Sequence, residues 1–537
     1  MSPDKDNPKA DLRIAAWVLF AITLAVVVFA RIRLLGLPLE RDEGEYAYTG
    51  QLILRGIPPY QLAYSMKFPG TSVAYALMMS IFGESTRGVH FGLIAVNLIT
   101  VGLVCVVGRS LLGEIPGIAA ASAYSVLSLM PHVLGTAAHA THFVVLFSVA
   151  AIALLIRALN RRSTTLISAS GLLFGFAVLM KQPGIFFALF GAAYLFAHDY
   201  HARLKAREII RRSLLLVIGV AAPFVITCLV LWSYGVFHRF WFWTIQYAAQ
   251  YGIQVSLVEG TRIFGGRFFA TLGTAWPIWA IAAIGLAMCV LSPTLRGYAG
   301  LFLITLTVFS ALAVFPGFYF RPHYFILLLP AISLLAGTAI AAAFHGGGNN
   351  AYKFHVATLL LFMACLVWPL WSEADFFFQR PLPEANRMIN GANPFPESIR
   401  IGEFIREHSS PADTIAVLGS EPQIYFYAGR LSATGYIYTY GLMEPQPYAR
   451  QMQEEMINEI ETARPKFLVL IVLNKSWLSG RDSDLTIFRW ADSYCDANYE
   501  EVGLINISDQ GTNYYFSGKP PDMTPTAEHI LIYRRKT

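Results

Sequence analysis

Long apolar runs separated by short polar stretches set the pattern of this chain. Ile14 to Ala30, Leu214 to Trp232 and Leu301 to Val314 approach or reach the roughly 20 residues a helix needs to cross a bilayer. The same hydropathy reading predicts spans at about 14–34, 88–108, 115–133, 141–157, 164–180, 184–198, 214–234, 269–291, 298–315, 324–343 and 354–371, about eleven in a range of eleven to thirteen. Pro69 to Phe82 is apolar but nearer 14 residues, and Gly70 interrupts its start, so it reads as a re-entrant or interfacial helix. The first run follows Lys5, Lys9 and Arg13 and ends in Ala30-Arg31-Ile32-Arg33 without a small-residue cleavage site. It is expected to be a retained span rather than a removed signal peptide.

Loop charge orients the spans, because Lys and Arg in short loops favour the cytoplasmic side. If Pro69–Phe82 does not cross, Arg157, Arg161 and Arg162 share the face of the N-terminus, as does the loop of Arg203, Lys205, Arg207, Arg211 and Arg212. An odd number of crossings then sends the C-terminal third to the non-cytoplasmic side of a plasma (inner) membrane. Residues 1–375 are expected to form the membrane domain, with a first outer loop at 38–70. Pro381, Pro383 and Pro394 mark a linker over 376–395. From Pro396 to the end, helix-like runs (Ser398–His408, Gln451–Ala463) alternate with β-rich ones (Thr414–Leu418, Phe467–Val472, Ile530–Tyr533), which predicts a soluble α/β domain over 396–537. Gly346 to Asn350 reads as a flexible turn.

Composition agrees with an α-helical polytopic membrane protein. Of 537 residues, 55% are hydrophobic and only 14% charged, and the mean hydropathy is +0.50, which excludes a soluble enzyme. The net charge of +6 is spread over many loops, without clustered Lys and Arg interleaved with aromatics, so nucleic acid is set aside. Of the five cysteines only Cys495 lies in the polar third, which leaves it no disulfide partner there, and no Cys/His cluster has zinc spacing.

Under this topology the ionisable residues collect on the outer face: Glu40 to Glu45 and Lys67, Glu84 and Arg87, His139 and His142, Lys181, His238 and Arg239, then Arg321 and His323. Charge beside a membrane is costly, so such a gathering points to a functional site. Transfer of a sugar from a polyprenyl phosphate fits it. A carboxylate removes the proton of an acceptor hydroxyl, and Lys or Arg stabilises the departing phosphate. Phosphate is already a good leaving group, so one base and several cations suffice.

Arg41-Asp42-Glu43-Gly44-Glu45-Tyr46-Ala47-Tyr48, Leu54-Arg55-Gly56 and Lys67-Phe68-Pro69-Gly70 resemble the first outer loop of the GT-C membrane glycosyltransferases. The branch they most resemble holds the protein O-mannosyltransferases and the aminoarabinose transferases that modify lipid A. The likeness continues in order through Phe82-Gly83-Glu84, Arg87, Gly135-Thr136, Leu179 to Gly184, Phe320 to Phe325 and Asn393-Pro394-Phe395. The resemblance implies an inverting, cell-envelope glycosyltransferase with Asp42 as catalytic base and Glu43 as the second acidic position. Lys67, Lys181 and Arg321 would contact the donor phosphate. Glu84 matches an acidic position that helps bind metal in some relatives. Where such proteins often carry a further acid, this chain reads Ala138-His139-Ala140-Thr141-His142, which puts the second carboxylate, and a divalent metal ion with it, in doubt. His139 and His142, three apart on a helix face, are the candidate replacements, with His323 as a further acceptor or metal candidate. The partners implied are a polyprenyl-phosphate-linked sugar, membrane lipids and a glycan, lipid or protein acceptor.

Plainer readings compete. Asp42 and Glu43 suit the N-terminus of a helix, where carboxylates meet its dipole. Lys67, Lys181 and Arg321 suit snorkelling anchors, and His139 and His142 suit hydrogen bonds at a helix end. Phe237 to Trp243 reads as an interfacial aromatic helix, and Glu259, Arg262 and Arg267 as part of a mobile outer loop. Gly419-Ser420 after an apolar strand is a weak anion-binding pattern. A lipid-linked sugar transporter or flippase would place charges at mid-span in repeated halves, which are not found here. A non-catalytic receptor leaves the acidic and basic outer loop unexplained.

Overall fold

A computed structural model describes residues 8–346, 350–508, 511–516 and 524–536. Lys5 and the side chain of Lys9 lie outside the described residues, as does most of the expected turn at 346–350. The chain forms two compact units that do not follow chain order: residues 1–36, 90–228 and 252–380 make one, and 37–89, 229–251 and 381–537 the other.

The first unit is a helical membrane bundle. Each apolar run predicted to span contains a helix, and among the described residues seven helices are long and apolar enough to cross a bilayer. Thr164–Met180 and Tyr298–Leu312 are shorter apolar helices. The helices differ in surroundings: the apolar window of Pro322–Phe344 is 89% buried, whereas that of Ala206–Ser233 is 17% buried. Ile210, Leu214, Val217, Ile218, Val225 and Ile226 are exposed along the latter, the surface lipid requires. Glycines let backbones approach. A Cβ on Gly171 would stand 2.3 Å from the Leu216 carbonyl oxygen, and one on Gly285 1.8 Å from that of Leu335.

Two expectations change here. Glu259, Arg262 and Arg267 sit on the helix Leu257–Leu272 rather than in a loop, because Ser256 caps it by accepting from the Glu259 amide. The span expected at 115–133 is helical only over Glu114–Leu127, and a 3₁₀ turn follows at Pro131–Val133.

The second unit is built on a six-stranded sheet: β1 (Thr414–Leu418), β2 (Leu431–Ser432), β3 (Phe467–Val472), β4 (Tyr499–Ser508), β5 (Gly511–Phe516) and β6 (Glu528–Arg535), in the order β2-β1-β3-β6-β4-β5. β1 runs parallel to β2 and β3, with Val417 opposite Val469, and the remaining pairs are antiparallel. Nearly continuous apolar runs in β1 and β3 suit strands covered on both faces. Met452, Met456 and Ile460 form one stripe of the helix Ala449–Ala463 and pack in a core with Ala416, Leu418 and Leu468. Within the expected linker, Leu382–Asn390 is helical, with Pro at its first turn.

The same unit includes helices Arg41–Leu54 and Gly70–Phe82, which pack together. A Cβ on Gly50 would meet Met79 Cε at 2.6 Å. Gly70–Phe82 spans 13 residues and leaves Val73, Leu77 and Ile81 exposed as an apolar stripe. The Phe237–Trp243 segment departs from an interfacial belt, for Phe240, Trp243 and Tyr247 are buried. Trp243 and Tyr247 join the core beside Tyr436 and Met452, and Arg239 lies over the Tyr64 ring and pairs with Glu455 at 3.0 Å.

Candidate functional site

The helix Arg41–Leu54 begins with a capping box. Glu40 accepts from the Glu43 amide at 2.8 Å, and the Glu43 carboxylate accepts from the Glu40 amide at 3.2 Å. This fixes the backbone that carries Asp42. Burial, reinforced by the charges of Asp42 and Glu43, pushes the Glu40 carboxyl well above the ordinary glutamate range.

Arg41 turns the other way. Its guanidinium lies 2.8 Å from the fully buried Glu421 carboxylate, donates to the Ser420 carbonyl, and packs beside the Phe395 and Tyr440 rings. The other Glu421 oxygen accepts from Ser476. The Gly419-Ser420 turn, read from sequence as an anion site, is therefore occupied by a carboxylate and its arginine, and the helix after it, Gln423–Ala428, has only six residues. Gly44 is required at this approach, since a Cβ there would lie 2.7 Å from Gln423 Cβ.

Asp42 and Lys67 form an ion pair in this unit. Lys67 Nζ is 2.8 Å from Asp42 Oδ1 and 2.6 Å from Glu45 Oε2. Its backbone is held as well: the Lys67 amide donates to Ser65 Oγ at 3.1 Å, the Tyr60 hydroxyl donates to the Lys67 carbonyl at 2.7 Å, and Ser65 Oγ donates to Glu45. The rings of Tyr46 and Tyr438 lie 4.6 and 5.6 Å from the ammonium. Burial alone would lower the Lys67 pKa, but Asp42 and Glu45 outweigh it and hold the ammonium well above the usual lysine value. Glu84 is exposed in the turn after Gly70–Phe82 and makes none of these contacts.

The membrane unit carries a second group. His139 is the N-cap of the helix Ala140–Arg161, and its ring stacks on that of His323 at 4.0 Å with the planes 13° apart. Lys181, at the extended end of Thr164–Met180, approaches His323 Nε2 at 3.5 Å and lies 4.2 Å from the Tyr324 ring. His139 and His323 each offer a ring nitrogen within 4.8 Å of the other, a nitrogen donor set that suits a divalent ion such as zinc. His142 is buried one turn further on, and neither ring nitrogen has a hydrogen-bond partner among the described residues. Arg321 packs beside Tyr319, whose hydroxyl bonds Gln254 at 3.0 Å.

Sequence reasoning missed the supports. Glu45 was visible in the acidic run and lies three residues after Asp42, on the same helix face. Arg31 looked like a charge ending a span, yet it is buried and donates to the carbonyls of Gly135 at 3.0 Å and Ser128 at 2.7 Å, tying down the turn that leads to His139. Gly135 fits there because a Cβ would stand 2.2 Å from the Ser128 oxygen. Nothing local marked Tyr438.

Residues 67–227 match the family model for dolichyl-phosphate-mannose-protein mannosyltransferase. No curated protein matches the sequence. Solved structures share the fold along almost the whole chain. ArnT from Cupriavidus metallidurans bound to undecaprenyl phosphate is 18% identical with a TM-score of 0.60, over 96% of this chain and 97% of that one. The Archaeoglobus fulgidus oligosaccharyltransferase tethered with an acceptor peptide is 13% identical with a TM-score of 0.54, over 94% of this chain and 75% of that one. AglB from the same organism, in complex with an inhibitory peptide and a dolichol-phosphate, is 14% identical with a TM-score of 0.52, over 95% and 75%.

Proposed function

We propose that the chain is a membrane glycosyltransferase of the GT-C superfamily, whose fold its structural neighbours share, and that it moves a sugar from a polyprenyl-phosphate donor to an acceptor on the non-cytoplasmic face, with inversion. The observation that carries this reading is the carboxylate–ammonium pair of Asp42 and Lys67 at 2.8 Å on a capped helix. Asp42 accepts the proton of the acceptor hydroxyl as its oxygen attacks the anomeric carbon. The bond from that carbon to the phosphate oxygen breaks, and its electron pair leaves with the polyprenyl phosphate.

Lys67 and Lys181, with Arg321 as a third cation, offset the phosphate charge. A donor phosphate competes with Asp42 for the Lys67 ammonium, so each contact it gains leaves Asp42 freer to act as base. Glu43 serves the backbone that holds Asp42. His139 and His323 are the nitrogen ligands a divalent ion would use, with His142 and Glu84 as further candidates. Such an ion would supply Lewis-acid stabilisation of negative charge. The phosphate-bearing polyprenyl lipids of the structural neighbours support the donor class.

Residues 1–375 form the membrane domain in this reading, 376–395 the connection and 396–537 the non-cytoplasmic α/β domain. The N-terminus is cytoplasmic, on the side of Arg157, Arg161 and Arg162. Arg212 contributes little to that count of free charge, since it is buried against Asp199 at 3.1 Å.

The test is Asp42→Asn in the full-length membrane protein, assayed for transfer from polyprenyl-phosphate sugars. Turnover should fall by about 10²–10⁴, while the protein remains folded in the membrane and still binds undecaprenyl phosphate. Near-normal turnover would remove Asp42 as the base.

A further inference from the structure

The loop 433–439 and the residue after it are pinned to the rest of their unit at nearly every position. Thr434 Oγ1 donates to Glu459 at 2.6 Å, the Tyr436 hydroxyl to Glu455 at 2.6 Å, and the Tyr440 hydroxyl to the Lys475 carbonyl at 2.7 Å. The Thr439 amide donates to Ser420 Oγ at 3.0 Å. Between these anchors stands Tyr438, the one half-buried residue in a buried run from Ser432 to Met443. Its ring meets Tyr440 edge-on at 4.8 Å and lies 5.6 Å from Lys67 Nζ. Its hydroxyl makes no hydrogen bond among the described residues.

Such a side chain is a fixed ring with an unused donor beside a cation. The ammonium of Lys67 has three N–H donors, of which Asp42 and Glu45 take two. Burial, with the charges of Tyr440 and Asp42, keeps the Tyr438 phenol well above its usual pKa despite Arg41 and Lys67, so it remains protonated at neutral pH. A neutral O–H next to an ammonium suits an anion that accepts from both, and holding both groups in place beforehand lowers the ordering cost of binding.

We propose that Tyr438, supplied by the C-terminal α/β domain, is a donor-binding residue whose hydroxyl donates to a phosphate oxygen of the polyprenyl phosphate held by Lys67. This rests on the reading of Lys67 as a phosphate-binding cation. It gives the C-terminal domain a part in donor recognition.

The experiment measures binding of undecaprenyl phosphate and of undecaprenol, which lacks the phosphate, to the full-length protein in nanodiscs. Tyr438→Phe keeps the ring and should weaken undecaprenyl phosphate about tenfold, the scale of one hydrogen bond to a charged group, with undecaprenol binding and the thermal midpoint unchanged. Wild-type affinity in Tyr438→Phe, with affinity lost in Lys67→Met, would overturn the role of Tyr438 and leave Lys67 standing. An equal loss for both lipids would overturn the phosphate contact in favour of packing. Undiminished binding in Lys67→Met would remove the reading on which the inference rests.

Discussion

The two groups of candidate side chains are held by different physics. Around Asp42 the structure is a balance of charge: Lys67 is clasped by two carboxylates, and Arg41 is consumed by Glu421. Around His139 the contacts are stacked rings, with Lys181 against an imidazole nitrogen and the Tyr324 ring. In the first group, removing one partner exposes the cost of a buried ion. In the second, the ammonium of Lys181 meets an imidazole nitrogen and an aromatic face, contacts that cost less to lose than half of a buried ion pair. Activity and stability should therefore respond together in one group and separately in the other.

The sharpest way to break this contrast is Lys67→Met. It leaves Asp42 and Glu45 facing each other without their cation, and the penalty for half of a buried pair is about 3 kcal/mol. A large fall in thermal midpoint, partly restored by adding Glu45→Gln, is expected in a double-mutant cycle. Additive effects would mean the pair carries no coupling. Lys181→Met should cost less than about 1 kcal/mol, the scale of an exposed cation–π contact, yet weaken binding of undecaprenyl phosphate. If Lys181→Met unfolds the protein as readily as Lys67→Met, the contrast between the two groups is wrong.

These differences mark what was legible in the chain. Apolar runs fixed where helices form, because a bilayer-length segment must satisfy its own backbone hydrogen bonds. The acidic start at Arg41 to Glu45 stood out because ionisable side chains are rare in so apolar a protein. The partners of those groups were hidden. Glu421 lies 380 residues from Arg41, and Glu459 lies 395 from Tyr64, so no periodicity connects them. Arg31 was unmarked for a related reason: a charge at the end of a span shows no partner in the sequence, and the carbonyls of Ser128 and Gly135 that it serves lie about a hundred residues away. The Phe237–Trp243 aromatics were ambiguous, since composition does not distinguish a ring facing lipid from one facing a protein core. Strands β4 and β5 escaped because polar residues such as Asn506, Ser508 and Asn513 interrupt their apolar alternation.

A further effect concerns the cap that begins the helix carrying Asp42. Glu40 faces Asp42 and Glu43, and burial with these two charges raises its pKa in the folded protein above the unfolded value of about 4.3. The folded state therefore holds this proton more tightly than the unfolded chain does. The stability it contributes is fully present below the unfolded pKa and is lost as pH rises through the raised folded value. Glu40→Gln keeps an oxygen that can accept from the Glu43 amide but has nothing to titrate. Thermal midpoints measured against pH should fall less steeply in Glu40→Gln than in the wild type above about pH 4.3, with the two converging at acid pH. Parallel curves would show that the proton on Glu40 is not what couples this helix to pH, and would return the dependence to Asp42 and Glu43.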